Sequence, residues 1–264
     1  MHADGDHWRT HHDALAEVIF TDVRRAGIRG RTEARLLFTD LLPQVVDDEW
    51  RRLRTGIIPD ALLRTSMPSI DDLVVDRLFD LKTIHYGHTL YPYAHLSGPL
   101  AGVGSCAARR SRTVPADYYR AARRLDARFH AVHLDPDTRP VISRLRGYPI
   151  HGLCVGAFGE TDQALRSLLR ATAVSAAHLH WRTAGARSEA TALGILTTTY
   201  RRRWGAAIAL HGARLRISRR SCVQARADVC AAPPGRRGFD PARHAHYAYA
   251  EAPIERGPPQ GQRG

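Results

Sequence analysis

Lysine is nearly missing from this sequence. Of the 39 Lys and Arg residues, only Lys82 is a lysine. An ammonium is a compact point charge whose pKa responds to its surroundings, whereas a guanidinium is a planar, permanently charged fork, so the two are not interchangeable where one cation must meet one oxygen. The single ammonium therefore marks Lys82 as a candidate functional residue. The alternative is that one codon escaped a general drift towards arginine.

Cysteine is scarce as well. The four cysteines include no Cys-x-x-Cys pair and are few for a secreted disulfide scaffold, so we expect reduced thiols. A structural zinc site is disfavoured because no group of histidines and cysteines has finger or ribbon spacing. The groups considered are His7, His11 and His12; His178 and His180; and Cys222 and Cys230.

The sequence also lacks several longer signals. No apolar run approaches the length of a membrane span, and no N-terminal segment has the pattern of a signal peptide. We therefore expect a soluble intracellular protein, nuclear in a eukaryotic cell, with no membrane partner. No Gly-rich phosphate loop and no serine-nucleophile elbow is present, which disfavours a P-loop nucleotide hydrolase and an α/β-hydrolase.

Positive charge is what the sequence has in excess. The formal charge is +13, and the pI is near 10.4. Such a surface attracts polyanions, with nucleic acid as the first candidate and anionic membrane as the second. A length of 264 residues with 44% hydrophobic content is enough for one core domain and a helical extension.

Hydrophobic periodicity predicts an α/β protein. A loose N-terminus, residues 1–12, precedes a core at 13–181, a basic helical extension at 182–230 and a disordered tail at 231–264. Helices are predicted at 13–25, 115–129, 163–180 and 189–211, and strands at 31–38, 56–63, 73–84 and 152–158. Residues 87–113 have no clear period and are predicted as a long loop, with Pro115 beginning the next helix.

Candidate catalytic residues lie in the second and third of these strands. Pro59-Asp60 falls in one strand, and Asp80-Leu81-Lys82 lies in the next, where Asp80 and Lys82 share one face. Mg²⁺ prefers oxygen ligands and is held by one or two carboxylates. Asp60, Asp80 and the carbonyl of Leu81 are therefore candidate metal ligands. Asp60, Asp80 and Lys82 are the candidate catalytic set, with the Lys82 ammonium orienting water or stabilising developing negative charge.

The motifs Pro59-Asp60 and Asp80-Leu81-Lys82, in this order of elements, resemble the core of the PD-(D/E)xK nuclease superfamily over roughly Asp13–Ala177. The resemblance implies a restriction-endonuclease-like fold, a central mixed β-sheet flanked by helices, that cleaves DNA with Mg²⁺ or Mn²⁺. Members include restriction-type enzymes, recombination nucleases and endonuclease modules of mobile elements. Thr83-Ile84-His85-Tyr86-Gly87 is similar to the mobile-element versions.

The main departure from that pattern is that no third acid can be assigned. Members of the superfamily often place a glutamate on the first helix, facing the site. Here Glu17 falls opposite the apolar stripe of the predicted helix, Asp22 falls on it, and Glu33 follows in the next strand. The third acid is unassigned among them. A carboxylate near Asp60 and Asp80 would favour an enzyme, and its absence would favour a catalytically inactive, nucleic-acid-binding remnant of a mobile element.

The helix predicted to begin at Pro115 has two distinct sides. Tyr118 belongs to an apolar stripe and is expected in the core. The other side carries four arginines that would give salt-sensitive, sequence-independent binding to DNA phosphates: Arg120, Arg123, Arg124 and Arg128. The alternative readings are a solvated helix face and, for the whole protein, a basic domain that contacts another protein.

Overall fold

The computed structural model describes residues 3–32, 58–84, 103–132, 140–156 and 158–231. The chain divides into two compact units, 1–219 and 220–264, and the side chains discussed below all belong to the first. Several residues considered above lie outside the described ranges, namely the predicted strand beyond Thr32 with Glu33, residues 56 and 57, His85, and the predicted tail from 232 onward.

The centre of the first unit is a four-stranded mixed sheet. Its strands are β1 (Gly30–Thr32), β2 (Ala61–Met67), β3 (Asp71–Thr83) and β4 (Ile150–Val155), which lie side by side in sequence order. The pairs β1–β2 and β2–β3 are antiparallel, and β3–β4 is parallel. The predicted α/β class with a mixed sheet and flanking helices is therefore confirmed.

Helices flank the sheet. They are α1 (Ala3–Arg25), α2 (Val103–Val132), α3 (Val141–Leu145), α4 (Gln163–His180) and α5 (Glu189–Ala231). The α1 helix begins well before the predicted start at Asp13, and α5 extends beyond the predicted end at His211. Among the described helices, none combines the length and the apolar character needed to cross a bilayer.

The β2–β3 hairpin differs from its prediction by a shift along the chain. The strand expected at 56–63 with proline near its middle is instead β2, and Pro59 and Asp60 lie just before its first residue. Proline has no N–H to donate to a neighbouring strand, so its place outside the ladder is favourable. The turn connecting the strands is Pro68–Ile70, in which Ser69 has a positive φ of 73°.

The predicted loop at 87–113 is wrong from Val103 onward, because that part is helical and Pro115 lies inside α2 rather than at its start. Proline costs a helix one backbone hydrogen bond, here to the carbonyl of Ser111. Tertiary packing compensates: a Cβ at Gly152 would lie 2.6 Å from Val114 Cγ2, so α2 and β4 touch at the glycine. The isolated pattern of glycines and proline could not reveal that contact.

The sheet separates two hydrophobic clusters. On one face, α2 and α3 bury Tyr118 and Leu125 against β3 and β4, as the stripe on α2 predicts. On the opposite face, α1, α4 and α5 meet the sheet, with Ile19, Phe79 and Trp204 among the buried residues. Cys106 and Cys154, the cysteines whose side chains the structure describes, are buried and form no disulfide with a described residue.

Asp162 joins three elements at the start of α4. Its carboxylate caps the helix as predicted, accepting hydrogen bonds from Ala164 N at 2.9 Å and Leu165 N at 3.2 Å. It also accepts from Cys154 N of β4 at 2.9 Å and from the Ser111 hydroxyl of α2 at 2.8 Å. One buried carboxylate therefore holds α2, β4 and α4 together.

We predict that Asp162→Ala lowers the free energy of unfolding by about 3 kcal/mol, because it removes a helix cap and leaves buried donors unpaired. Asp162→Asn should lose less, since its amide oxygen still accepts. Urea denaturation followed by circular dichroism measures both, with Asp72→Ala at an exposed position as the control. Equal stability of Asp162→Ala and Asp72→Ala would contradict this role.

Candidate active site

Asp60 and Asp80 lie opposite each other because of the β2–β3 register. Ala61 pairs with Phe79, so Asp60, which lies just before β2, faces Asp80, which follows Phe79 in β3. Ala61 is the first residue of β2, so β2 extends no further in this direction, whereas β3 continues to Thr83. That part of β3 pairs only with β4 on its other edge, through Asp80↔Gly152 and Lys82↔Cys154. Beyond Phe79, the edge of β3 that faces β2 has no strand partner among the described residues.

Two side chains satisfy this open edge at Leu81. Asp60 Oδ2 accepts a hydrogen bond from Leu81 N at 2.6 Å. His12 of α1 places Nε2 2.9 Å from the Leu81 carbonyl oxygen and 3.7 Å from Asp60 Oδ2. The carbonyl predicted from the sequence as a metal ligand is thus in contact with a histidine, and the helix contributes an imidazole at the position where an acid was sought.

Asp80 and Lys82 lie together on the sheet face covered by α2. The Asp80 side chain is 4% exposed, and its Oδ2 lies 2.7 Å from Lys82 Nζ, whose side chain is 38% exposed. The Tyr118 phenol of α2 lies close enough to Asp80 for the two groups to interact electrostatically. Lys82 Nζ forms an ion pair with this oxygen, and no other described group donates a hydrogen bond to it. A buried carboxylate oxygen there retains its capacity to bind another partner.

The two carboxylates affect the ionisation of the site. Burial, reinforced by the negative charge of Asp80, raises the pKa of Asp60 to about 6 from 3.8, although His12, the Leu81 amide and Lys82 act in the opposite direction. Burial also raises the pKa of Tyr118, to which Asp80 and Asp60 contribute, so Tyr118 remains a neutral phenol. The site holds more negative charge than its surroundings favour, a condition that a bound cation relieves.

No third acid joins the pair among the described residues. Glu17 is exposed and bonds to Thr21 at 2.6 Å and Arg24 at 3.3 Å on its own helix. Asp22 is buried, but its Oδ2 accepts from Trp204 Nε1 at 3.0 Å and lies 3.2 Å from Arg203 Nε, both on α5. Glu33 lies outside the described part of the chain.

The helix residue that sequence reasoning missed is His12. It was considered only within a possible zinc group, since the helix was expected to begin one residue later. His12 precedes Leu15 by three residues and Ile19 by seven, so it belongs to the same helical face as those buried side chains. Extending the helical period towards the N-terminus could have found it.

The residues present suit a hard cation better than zinc. In the described ranges, no three His, Cys, Asp or Glu side chains are grouped to hold a metal. Two carboxylates with an unfilled acceptor oxygen are a donor set of the kind that Mg²⁺ uses, since this ion keeps several waters. Of the other histidines in the zinc hypothesis, His178 Nδ1 lies 3.5 Å from Glu189 Oε2, and His180 Nε2 lies 3.2 Å from the Arg25 carbonyl oxygen. The side chains of His7 and His11 lie outside the described residues.

Three of the four candidate DNA-binding arginines of α2 are exposed. Arg120, Arg123 and Arg124 are exposed, while the side chain of Arg128 lies outside the described residues. Arg120 forms an ion pair with Asp117 at 3.2 Å, and Arg110 binds the same carboxylate at 2.6 Å. Because Tyr118 of this helix reaches Asp80, the exposed arginines belong to the helix that covers the candidate site.

Comparison of the chain with protein-family models, curated proteins and solved structures finds no match. The site itself consists of two facing carboxylates, one ammonium, one imidazole and a phenol around the end of β3.

We predict that the free energy of unfolding of the Asp60→Asn variant, compared with that of the parent, rises as pH increases. An acid whose pKa is higher in the folded state binds more protons when folded, so its ionisation costs stability as pH rises from 3.8 through about 6. The advantage of the variant should grow by about 2 kcal/mol between about pH 4 and about pH 8.

Urea denaturation in EDTA at both pH values measures this difference. Asp76→Asn, which removes an exposed carboxylate on the same face of β3 as Asp80, is the control. A difference between the Asp60→Asn variant and the parent that stays constant across the range would contradict a raised pKa at Asp60.

Proposed function

We propose that the protein is a metal-dependent phosphodiester hydrolase that acts on DNA. The observation that best supports this proposal is the position of the only lysine of the chain, whose ammonium lies 2.7 Å from the buried Asp80 carboxylate. Asp60 faces the same end of β3. In this proposal Asp60 and Asp80 hold Mg²⁺ or Mn²⁺, and Lys82 orients or activates water.

The order of elements supports the finer proposal of a restriction-endonuclease-like fold. A helix, three antiparallel strands, a helix and a fourth strand parallel to the third follow one another, with the short α3 before the last strand. Pro59-Asp60 directly precedes β2, and Asp80-Leu81-Lys82 lies at the end of β3. The resemblance to the PD-(D/E)xK superfamily implied Pro59-Asp60 within a strand; the pair here precedes that strand, and Asp60 still faces Asp80.

The residues fit a divalent cation through the buried Asp80 carboxylate, whose Oδ2 has Lys82 as its one described partner, and through the raised pKa of Asp60. When bound there, such a cation neutralises phosphate charge and makes a water more acidic. Asp60 keeps its hydrogen bond to Leu81 N, which holds one of its oxygens at the strand end.

Lys82 is the residue best suited to act on the reacting phosphate. Its stem leaves the buried strand, and the ammonium is partly exposed while it remains next to Asp80. From that position it can donate hydrogen bonds to a water or to a phosphate oxygen as negative charge develops. An arginine would present a wider, planar group whose charge is spread over a fork, which does not replace a single point donor.

Exposed arginines on α2 supply a surface for the DNA backbone. Arg123 and Arg124 form no ion pair with the described residues, and both project from the helix that covers the site. Arginines of this kind bind phosphates without reading sequence. They support nucleic acid as the substrate class.

A second candidate function is a nucleic-acid-binding remnant that no longer cuts. It is favoured by one observation, that α1 brings His12 and no carboxylate to the pair Asp60 and Asp80 among the described residues. The same basic surface serves both candidates. A cleavage assay separates them.

We predict that the parent chain nicks supercoiled plasmid with Mg²⁺ or Mn²⁺ and not with EDTA, and that Lys82→Ala lowers the rate by at least about a hundredfold. Lys82→Arg should also fail, because charge alone is not sufficient. Arg187→Ala, which removes an exposed cation outside α2 to which no role is assigned, is the control for loss of a cation. Equal nicking by the parent and Lys82→Ala would rule out this mechanism, and a parent that binds DNA without nicking it would favour the remnant.

We also predict that Mg²⁺ stabilises the parent by about 2.7 kcal/mol at a hundred times its dissociation constant, since a ligand bound only to the folded state adds free energy of unfolding. Asp80→Asn should abolish the effect, whereas the exposed Asp76→Asn should retain it. Urea denaturation with Mg²⁺ and with EDTA measures the difference. Equal stabilisation of the Asp80→Asn variant would place the cation elsewhere.

A further inference from the structure

A cavity of about 710 Å³ lies away from the candidate active site. Its walls come from the β2–β3 turn, the first half of α4 and the middle of α5, all within the first unit. It meets the hairpin at Pro68 and Ser69, the opposite end of β2 from Asp60. Seven residues of strand separate the two ends, about 23 Å at the usual rise. The cavity is therefore independent of the proposed nuclease chemistry.

The floor of the cavity is apolar and mainly aliphatic. Leu165 and Leu169 of α4 face Leu193 and Ile208 of α5 across it. Trp204 also contributes, but it is only 1% exposed, and its Nε1 is bonded to Asp22. The accessible part of the floor comes mainly from Leu169 and Leu193, since Leu165 and Ile208 are buried like Trp204. A cavity of this size with such a floor is typical of a site that accepts large apolar groups.

The rim of the cavity is cationic. Arg166 and Arg170 lie one turn apart on α4, and Arg201 lies on α5. Arg170 and Arg201 are exposed, and neither forms an ion pair with the described residues. No Asp or Glu belongs to the described lining. Three guanidinium groups around an apolar floor favour a ligand that carries both carboxylates and large apolar side chains.

The walls are held together without a ligand. Gln163 Nε2 donates to the Ser69 carbonyl at 3.0 Å, and the Ser167 hydroxyl donates to the Pro68 carbonyl. These bonds tie the hairpin turn to α4. The α5 wall is fixed by Trp204, which donates to Asp22 of α1, and by Ile208, which packs in the same hydrophobic cluster as Leu165.

We propose that this cavity binds a peptide segment of a partner protein, in which large apolar side chains are flanked by aspartate or glutamate. The apolar side chains enter between α4 and α5, and the acids pair with Arg166, Arg170 and Arg201. Single-stranded nucleic acid fits less well, because its affinity depends on bases stacking on exposed aromatic rings and Trp204 is buried. The proposal concerns protein recruitment and does not depend on catalysis at Asp60 and Asp80.

Two glycines of α5 provide matched variants. A Cβ at Gly205 or at Gly194 would meet nothing within 4 Å, but only Gly205 lines the cavity. Leucine is a better helix former than glycine, so neither Gly205→Leu nor Gly194→Leu should impair folding. The first fills the cavity and the second does not. Thermal denaturation of both confirms that they fold.

The test is selection from a random peptide library displayed on phage, with the full parent chain as bait and Gly205→Leu for counter-selection. Selected peptides should be rich in acidic and large apolar residues. In fluorescence anisotropy they should bind the Gly194→Leu variant like the parent and the Gly205→Leu variant at least about tenfold more weakly. The double variant Arg170→Glu with Arg201→Glu should lose them and gain affinity for the same peptides with lysine in place of the acids.

Three results would overturn the proposal. One is the absence of any peptide that distinguishes the parent from Gly205→Leu. Another is selected peptides without acids, or ones that the double charge reversal leaves unaffected. The third is a labelled single-stranded DNA whose binding is lost in Gly205→Leu and retained in Gly194→Leu, which would assign the cavity to nucleic acid instead.

Discussion

The difference in length between β2 and β3 is the constraint on which the site depends. Because β3 continues beyond the start of β2, the N–H and carbonyl of Leu81 have no strand partner on that edge among the described residues. Buried or partly buried backbone groups must be paired. Asp60 and His12 supply the partners, and in doing so they bring a loop residue and a helix residue to the end of β3.

The ionisation of Asp60 at this strand end depends on opposing effects. Burial and the neighbouring Asp80 make ionisation of Asp60 unfavourable, while Lys82 and His12 favour it. Asp80 is more deeply buried and retains an acceptor oxygen without a hydrogen bond from the described residues. Groups arranged in this way cost stability, and the proposed cation would offset that cost by neutralising the excess negative charge.

Local chemistry in the sequence predicted the elements that depend on nearby residues. Asp162 caps α4 because a short acid before a helical period can do so in any fold, and the stripes of α1 and α2 became buried faces for the same reason. Pro115 misled the prediction of α2, since its cost is offset by contact between Val114 and Gly152, residues distant in the sequence. His12 was missed because its role requires α1 to reach a strand end that lies far along the chain.

The sequence by itself determined the α/β class, the shared face of Asp80 and Lys82 and the singularity of the lysine, because these follow from strand and helix periods and from composition. Only the tertiary structure decided that Asp60 faces Asp80, that His12 occupies the helical side of the site and that three arginines surround an apolar cavity. Those relations depend on register and on the packing of distant segments. Neither leaves a local pattern in the chain.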